Sequence, residues 1–160
     1  MKISIHAVGR LKAGPERQLV ERYLERLKAT GRPLGLEFAG VREIAESRAP
    51  DVATRKREES AELLGFCPAG CALVLLEERG QALSTREFAD MLARLRDAGK
   101  AQAVIAIGGP DGHDGAARDA AIRTVCFGTM TWPHQLVRVM LAEQLYRVAT
   151  VLAGHPYHRD

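Results

Sequence analysis

The sequence predicts an α/β domain built on a mainly parallel sheet with helices on both faces. Three observations predict it. Short apolar or β-branched runs alternate with amphipathic helical runs along the whole chain. The runs "CALVLL" and "AVIAI" contain no polar residue, as expected of strands covered on both faces. Glycines at positions 9, 31 and 99 punctuate the runs where elements should stop.

The first run, Lys2–Val8, alternates and is rich in β-branched residues, which reads as a strand closed by Gly9. Pro15 opens a helix in which Leu19, Val20, Tyr23, Leu24 and Leu27 recur at helical spacing, with Gly31 as its stop. "LGLEFAG" is a second strand, and residues 41–50 read as charged and irregular. A helix is expected from about 51 to 64, with "TRKREE" on its solvated part. Residues 71–76 form a third strand, and "EERGQAL" leads away from it. Ser84 and Glu87 make a capping-box pattern that starts a helix to about residue 98. Residues 103–107 are a fourth strand, followed by "GGPDGHD" and a short alanine-rich helix to about residue 123. "VCFGTMTWP" is part strand and part loop, and a long helix runs from about 134 to 153 before the tail "GHPYHRD". With no internal repeat, low-complexity tract or linker, the 160 residues are expected to form one domain.

Composition bounds the function class. Hydrophobic residues make up 46% and charged residues 27%, an ordinary soluble balance. A net charge of +3 is too mild to argue for nucleic acid by itself. Arg supplies 18 of the 23 basic residues, which suits phosphates and bases but equally follows from GC-rich coding. Cys67, Cys71 and Cys126 imply free thiols in a reducing compartment, since no second Cys or His pair completes a zinc site. The opening "MKISIHAVG" is too short and interrupted for a secretory signal, and no apolar run reaches membrane-spanning length. A cytoplasmic protein without metal or membrane partner is expected.

In an open parallel sheet, ligands bind outside the carboxyl ends of the strands. That rule singles out the segments after Leu76, after Ile107, and from Phe127 to Trp132. "IGGPDG" is either a plain tight turn or a place of close backbone approach to a ligand; Pro110 excludes the dinucleotide fingerprint. The final helix is apolar over most of its circumference through Leu136, Met140, Leu141, Leu145, Val148 and Leu152, widened by Val137, Val139 and Val151. Such a helix is buried on two sides, either as a central core helix or through a subunit interface. Arg138, one turn into that helix and near His134, is a candidate to meet an anion. His134 reads equally as a cap of its own helix. Glu143 and Arg147 stand at i, i+4 and form either a surface pair or a structural one. The tail concentrates His155, Tyr157 and His158 where chain ends ordinarily fray.

With these segments in place, the sequence resembles, from end to end, the RlmH family of SPOUT-class RNA methyltransferases. "KISIHAVGRLK", "LLEERGQALSTREFA", "IGGPDG" and "MTWPHQLVRVMLAEQLYRV…HPYHRD" each match a segment of the family pattern. The chain departs from that pattern at Glu77, where Asp is usual, at "FGT" in place of a serine-rich lead, and at Trp132 in place of a smaller apolar residue. The resemblance implies a SPOUT fold with a C-terminal trefoil knot and an obligate homodimer. It implies S-adenosylmethionine as methyl donor and, as substrate, N3 of a pseudouridine in the large-subunit (23S) rRNA of the assembled ribosome. Carried over by position, Leu76, Gly108, Phe127, Gly128, Thr129, Met130, Thr131 and Trp132 would hold the cofactor. Arg138, His155, Tyr157 and His158 would serve the substrate side, as anion partner, proton-handling groups and stacking ring. A relative acting on another RNA such as tRNA, or a dimeric binding module without chemistry, are the alternatives.

Overall fold

A computed structural model of the chain describes residues 1–158. Five strands and five helices alternate: β1 (Lys2–Val8), α1 (Pro15–Gly31), β2 (Glu37–Ile44), α2 (Val52–Phe66), β3 (Ala72–Ala82), α3 (Thr85–Asp97), β4 (Gln102–Ile107), α4 (Gly115–Ala120), β5 (Arg123–Cys126) and α5 (His134–Leu152). A single 3-10 turn, Arg32–Leu34, links α1 to β2. All strand pairs are parallel, in the order β2-β1-β4-β3-β5.

Alternation along the strands divides the interior in two. Ile3, Ile5 and Ala7 of β1, Val74 of β3 and Ile105 of β4 pack against Val20, Leu24 and Leu27 of α1, Phe88 and Leu92 of α3, and Leu141, Leu145 and Val148 of α5. Leu73, Leu75, Val104 and Ala106 point the other way, onto Leu63 of α2 and Ala117 of α4. Helices therefore cover both faces, and the uninterrupted apolar runs of β3 and β4 are the ones sandwiched between them.

Helix starts follow their local signals. Ser84 Oγ accepts from Glu87 N at 3.2 Å while the Glu87 carboxylate accepts from Ser84 N at 2.7 Å, closing the capping box of α3. Asp51 caps α2 by accepting from Thr54 N at 2.7 Å.

Two strands differ from expectation. β2 continues through the charged stretch to Ile44, because it is an edge strand: it pairs only with β1, so Arg42 and Glu43 keep access to water. β3 continues past Leu76 through "EERGQA" to Ala82. Residues 77–80 bulge out of its parallel ladder with β5, so that both Leu76 and Gln81 are partners of Val125. Gly80 makes this possible. A Cβ on Gly80 would lie 2.7 Å from Val125 N, closer than any side chain tolerates.

Candidate active site

The carboxyl ends of β1, β4, β3 and β5 open into one cavity of about 710 Å³, within the range that holds nucleotide-sized ligands. Its walls come from Gly9–Lys12 after β1, Leu76–Arg79 in β3, the turn after Ile107, the Phe127–Trp132 loop, and the first turn of α5.

The glycine turn forms the floor and is pinned from beneath. A Cβ on Gly109 would meet Glu59 Oε2 at 2.7 Å and Val8 Cγ1 at 3.1 Å, so the backbone rests directly on a buried carboxylate of α2. Glu59 in turn accepts from Ser47 N at 2.9 Å, and Ser60 Oγ accepts from Asp114 N at 3.1 Å. A Cβ on Gly108 would crowd His113 Cε1 at 3.1 Å and the Gly112 backbone at 3.2 Å. The tight-turn reading and the close-approach reading of "IGGPDG" thus hold together: the turn is tight because it is packed from below, and its upper side faces the cavity.

Glu77 braces the turn from the side. Its carboxylate meets His113 Nδ1 at 3.2 Å and Arg118 Nε at 3.0 Å. Burial pushes this carboxyl up, but Arg118 and His113 outweigh that and hold it below its ordinary value. Burial lowers His113, more than Glu77 raises it. His134 is lowered chiefly by burial as well, against the opposing pull of the Gly108 carbonyl. Both imidazoles are therefore neutral at pH 7. His134 Nε2 lies 2.9 Å from Gly108 O, and a carbonyl only accepts, so the proton sits on Nε2. His134 is a tie from α5 to the floor rather than a cap of its helix; Pro133 takes the cap position.

Arg138 stands on the cavity wall but is only 6% exposed and largely committed. It donates to Glu43 Oε1, to Val8 O at 3.0 Å and to Gly9 O at 2.6 Å. Its Nε is buried without a hydrogen-bond partner among the described residues. Arg138 thus stitches α5 to the end of β1.

Of the expected cofactor residues, Leu76, Gly108, Phe127, Gly128, Met130, Thr131 and Trp132 line the cavity, and Thr129 does not. The loop is held by Trp132 Nε1 donating to Phe127 O at 3.2 Å and by Thr131 Oγ1 donating to Glu78 Oε1 at 3.2 Å. Met130 and Trp132 remain 71% and 40% exposed.

The tail residues His155, Tyr157 and His158 line no part of this cavity. They follow the other end of α5, and 19 residues of helix put about 28 Å between its ends. The Tyr157 ring packs on Tyr146 at 4.8 Å, carries the Arg147 guanidinium 4.7 Å above it, and its hydroxyl donates to Glu143 Oε1 at 3.1 Å. Arg147 Nε also donates to Glu143, at 2.8 Å, so the i, i+4 pair is the seat of the tail. His155 Nδ1 accepts from Tyr157 N at 3.1 Å, which places the His155 proton on Nε2.

Sequence reasoning passed over Arg10, Lys12, Glu46, Glu78 and Arg79, all of which line the cavity. The strand-end rule had the means to find Arg10 and Lys12, because β1 lies beside β4 in the sheet and ends at the same edge.

A family model described as "Predicted SPOUT methyltransferase" matches residues 1–158. Curated relatives named ribosomal RNA large subunit methyltransferase H are similar over the whole chain. The protein of Chelativorans sp. is 61% identical over all of this chain and 92% of its own length. That of Brucella anthropi is 57% identical over the full length of both. That of Mesorhizobium japonicum is 57% identical over 99% of each.

Proposed function

The chain belongs to the SPOUT methyltransferase family, and on that premise we propose that it methylates N3 of a pseudouridine in 23S rRNA of the assembled ribosome, using S-adenosylmethionine. The observation that carries this reading is the coincidence of a full-length match with a strand-end cavity whose wall holds seven of the eight residues expected to bind the cofactor.

The cavity suits that cofactor chemically. Leu76, Ile107, Val125 and Phe127 offer an apolar face to an adenine, glycine backbone lies open at Gly108 and Gly128, and Glu46, Glu77 and Glu78 put carboxylates near a cationic ligand. When bound, the cofactor supplies a methyl group already activated on a sulfonium for in-line displacement. The protein's share is alignment and proton management. His134 fixes the Gly108 carbonyl, the Glu77 brace fixes the turn, and Arg138 fixes the end of β1. N3 of the base must lose its proton for nitrogen to attack, which calls for a base of near-neutral pKa and a positive group beside the developing anion.

His155 and His158 are our assignment for the proton, acting in the cavity of a second subunit; Tyr157, expected to stack on a base, instead anchors the tail to α5 through Tyr146, Arg147 and Glu143. The length of α5 supports this, since it carries the tail away from the cavity of its own chain. The homodimer is supported further by three exposed large apolar side chains within seven residues, Met130, Trp132 and Leu136. The C-terminal trefoil knot enters this reading through the family match. One domain over residues 1–160, acting in the cytoplasm where ribosomes assemble, completes the reading. No helix among the described residues is long and apolar enough to cross a membrane.

Transfer of labelled methyl to ribosomes with and without the pseudouridine tests the proposal. Label confined to pseudouridine-containing ribosomes is expected. Equal labelling of both sinks the nucleotide assignment, labelling of tRNA instead redirects the substrate, and absence of binding heat with S-adenosylmethionine reduces the protein to a binding module.

A further inference from the structure

Three cationic side chains converge at the mouth of the cavity from two separate segments: Arg10 and Lys12 after β1, and Arg79 in the extension of β3. All three are exposed, and none is paired with another described residue. Most neighbouring charges are already paired. Glu77 pairs with Arg118, Asp111 with Arg55, Arg138 with Glu43, and Glu78 accepts from Thr131. Glu46, beside Gly9 and His134, and Glu78, held only by a neutral hydroxyl, are the carboxylates of the wall without a cationic partner among the described residues, against three unpaired cations.

The segment bearing Arg10 and Lys12 is fixed rather than loose. Leu11 packs onto the core between them, and its N–H donates to Glu43 Oε1 at 3.0 Å. That same oxygen pairs with buried Arg138, which also holds the carbonyls of Val8 and Gly9. A turn tied down at Val8, Gly9 and Leu11, with Arg10 and Lys12 exposed, holds charge at a set place. A base that enters a cavity leaves its flanking phosphates at the mouth, where fixed cations meet them. A net charge of +3 attracts RNA weakly at long range, so local contacts must supply the grip.

We propose that Arg10, Lys12 and Arg79 form a subsite for the phosphodiester backbone of a single-stranded RNA segment entering the cavity, with Glu43 as the positioning residue for the first two. The proposal rests on the reading of the protein as an RNA methyltransferase.

The test compares the full-length protein with the triple variant Arg10→Gln, Lys12→Gln, Arg79→Gln, using ribosomes as the probe. Ribosome binding is measured across a range of KCl concentrations, alongside methyl-transfer kinetics and calorimetry with S-adenosylmethionine. The expected result is a ribosome KM raised about tenfold, a salt slope reduced by about 2 for three lost single-strand phosphate contacts, and unchanged cofactor affinity. Glu43→Ala removes a negative charge, which by simple attraction would tighten RNA binding; positioning requires the opposite, a raised KM that Glu43→Gln, still able to accept from Leu11, restores. An unchanged KM and salt slope in the triple variant overturns the subsite. So does an equal loss of cofactor affinity, which would assign the cations to the cofactor's own carboxylate. Wild-type protein that binds ribosomes with this salt dependence yet transfers no methyl sinks the methyltransferase reading and leaves the subsite standing.

Discussion

Gly80 carries a constraint that no neighbouring residue shares. Because the β3 extension crosses directly over Val125, Gly80→Ala must force the two backbones apart, and a loss of more than about 2 kcal/mol in urea unfolding is expected. Gly65, inside α2 with nothing within 4 Å of its missing Cβ, is the control. Gly65→Ala should stabilise by about 0.5 kcal/mol through helix propensity alone. His6 supplies a second prediction at this scale. It is buried on β1 against Phe66 with no partner for Nε2 among the described residues, and burial, aided by His113 and Arg42, lowers it to about 4. An unfolded chain binds a proton there near pH 6.5 while the folded chain refuses it until about 4, so stability is lost as pH falls through that window. The loss reaches as much as about 3 kcal/mol, and His113 adds to it in the same direction. Unfolding free energies measured from neutral pH down to about 4 should fall, and His6→Asn should flatten the curve.

At the scale of elements, the starts of α1, α2, α3 and α4 follow signals carried by a few consecutive residues, Pro15, Asp51, the Ser84–Glu87 box and Asp114. Ser84→Ala breaks the capping box of α3 and should cost about 1 kcal/mol, seen as a fall in Tm of about 3 °C. Strand ends were less legible. β2 and β3 both run beyond their apolar cores, into "VREI" and "EERGQA". Hydrophobic pattern reports which faces are buried, whereas β2 is continued by backbone pairing to β1 and β3 resumes its pairing to β5 at Gln81 and Ala82, with most side chains of both extensions exposed. The same limit hid the cavity-lining role of Arg79 and Glu78, which sit on that extension.

At the scale of the whole molecule, the cavity and the tail lie at opposite ends of α5. Deletion of residues 155–160 should therefore leave S-adenosylmethionine binding by calorimetry largely intact and abolish turnover. Gly108→Val should abolish cofactor binding, and turnover with it, because its side chain must displace the packed turn that floors the cavity. Co-expression of the two variants discriminates: heterodimers regain activity at one site if the tail works across subunits, and none if it serves its own chain.

The sequence by itself determined the fold class, the order and type of the elements, the strand-end segments that matter, and, by resemblance, the family. Those properties rest on local periodicity, turn residues and motif spacing, all of which lie within short windows of chain. Tertiary structure alone decided the order β2-β1-β4-β3-β5, which brings Gly9–Lys12 beside the glycine turn. It also decided that Arg138 spends its guanidinium on the Val8 and Gly9 carbonyls and Glu43, partners 95 to 130 residues away in sequence. And it seated Tyr157 on Tyr146 and Glu143, at the far end of α5 from the cavity. The physical reason is the same in each case: a side chain's role is set by which distant groups compete for its hydrogen bonds, and that competition exists only once the sheet has closed.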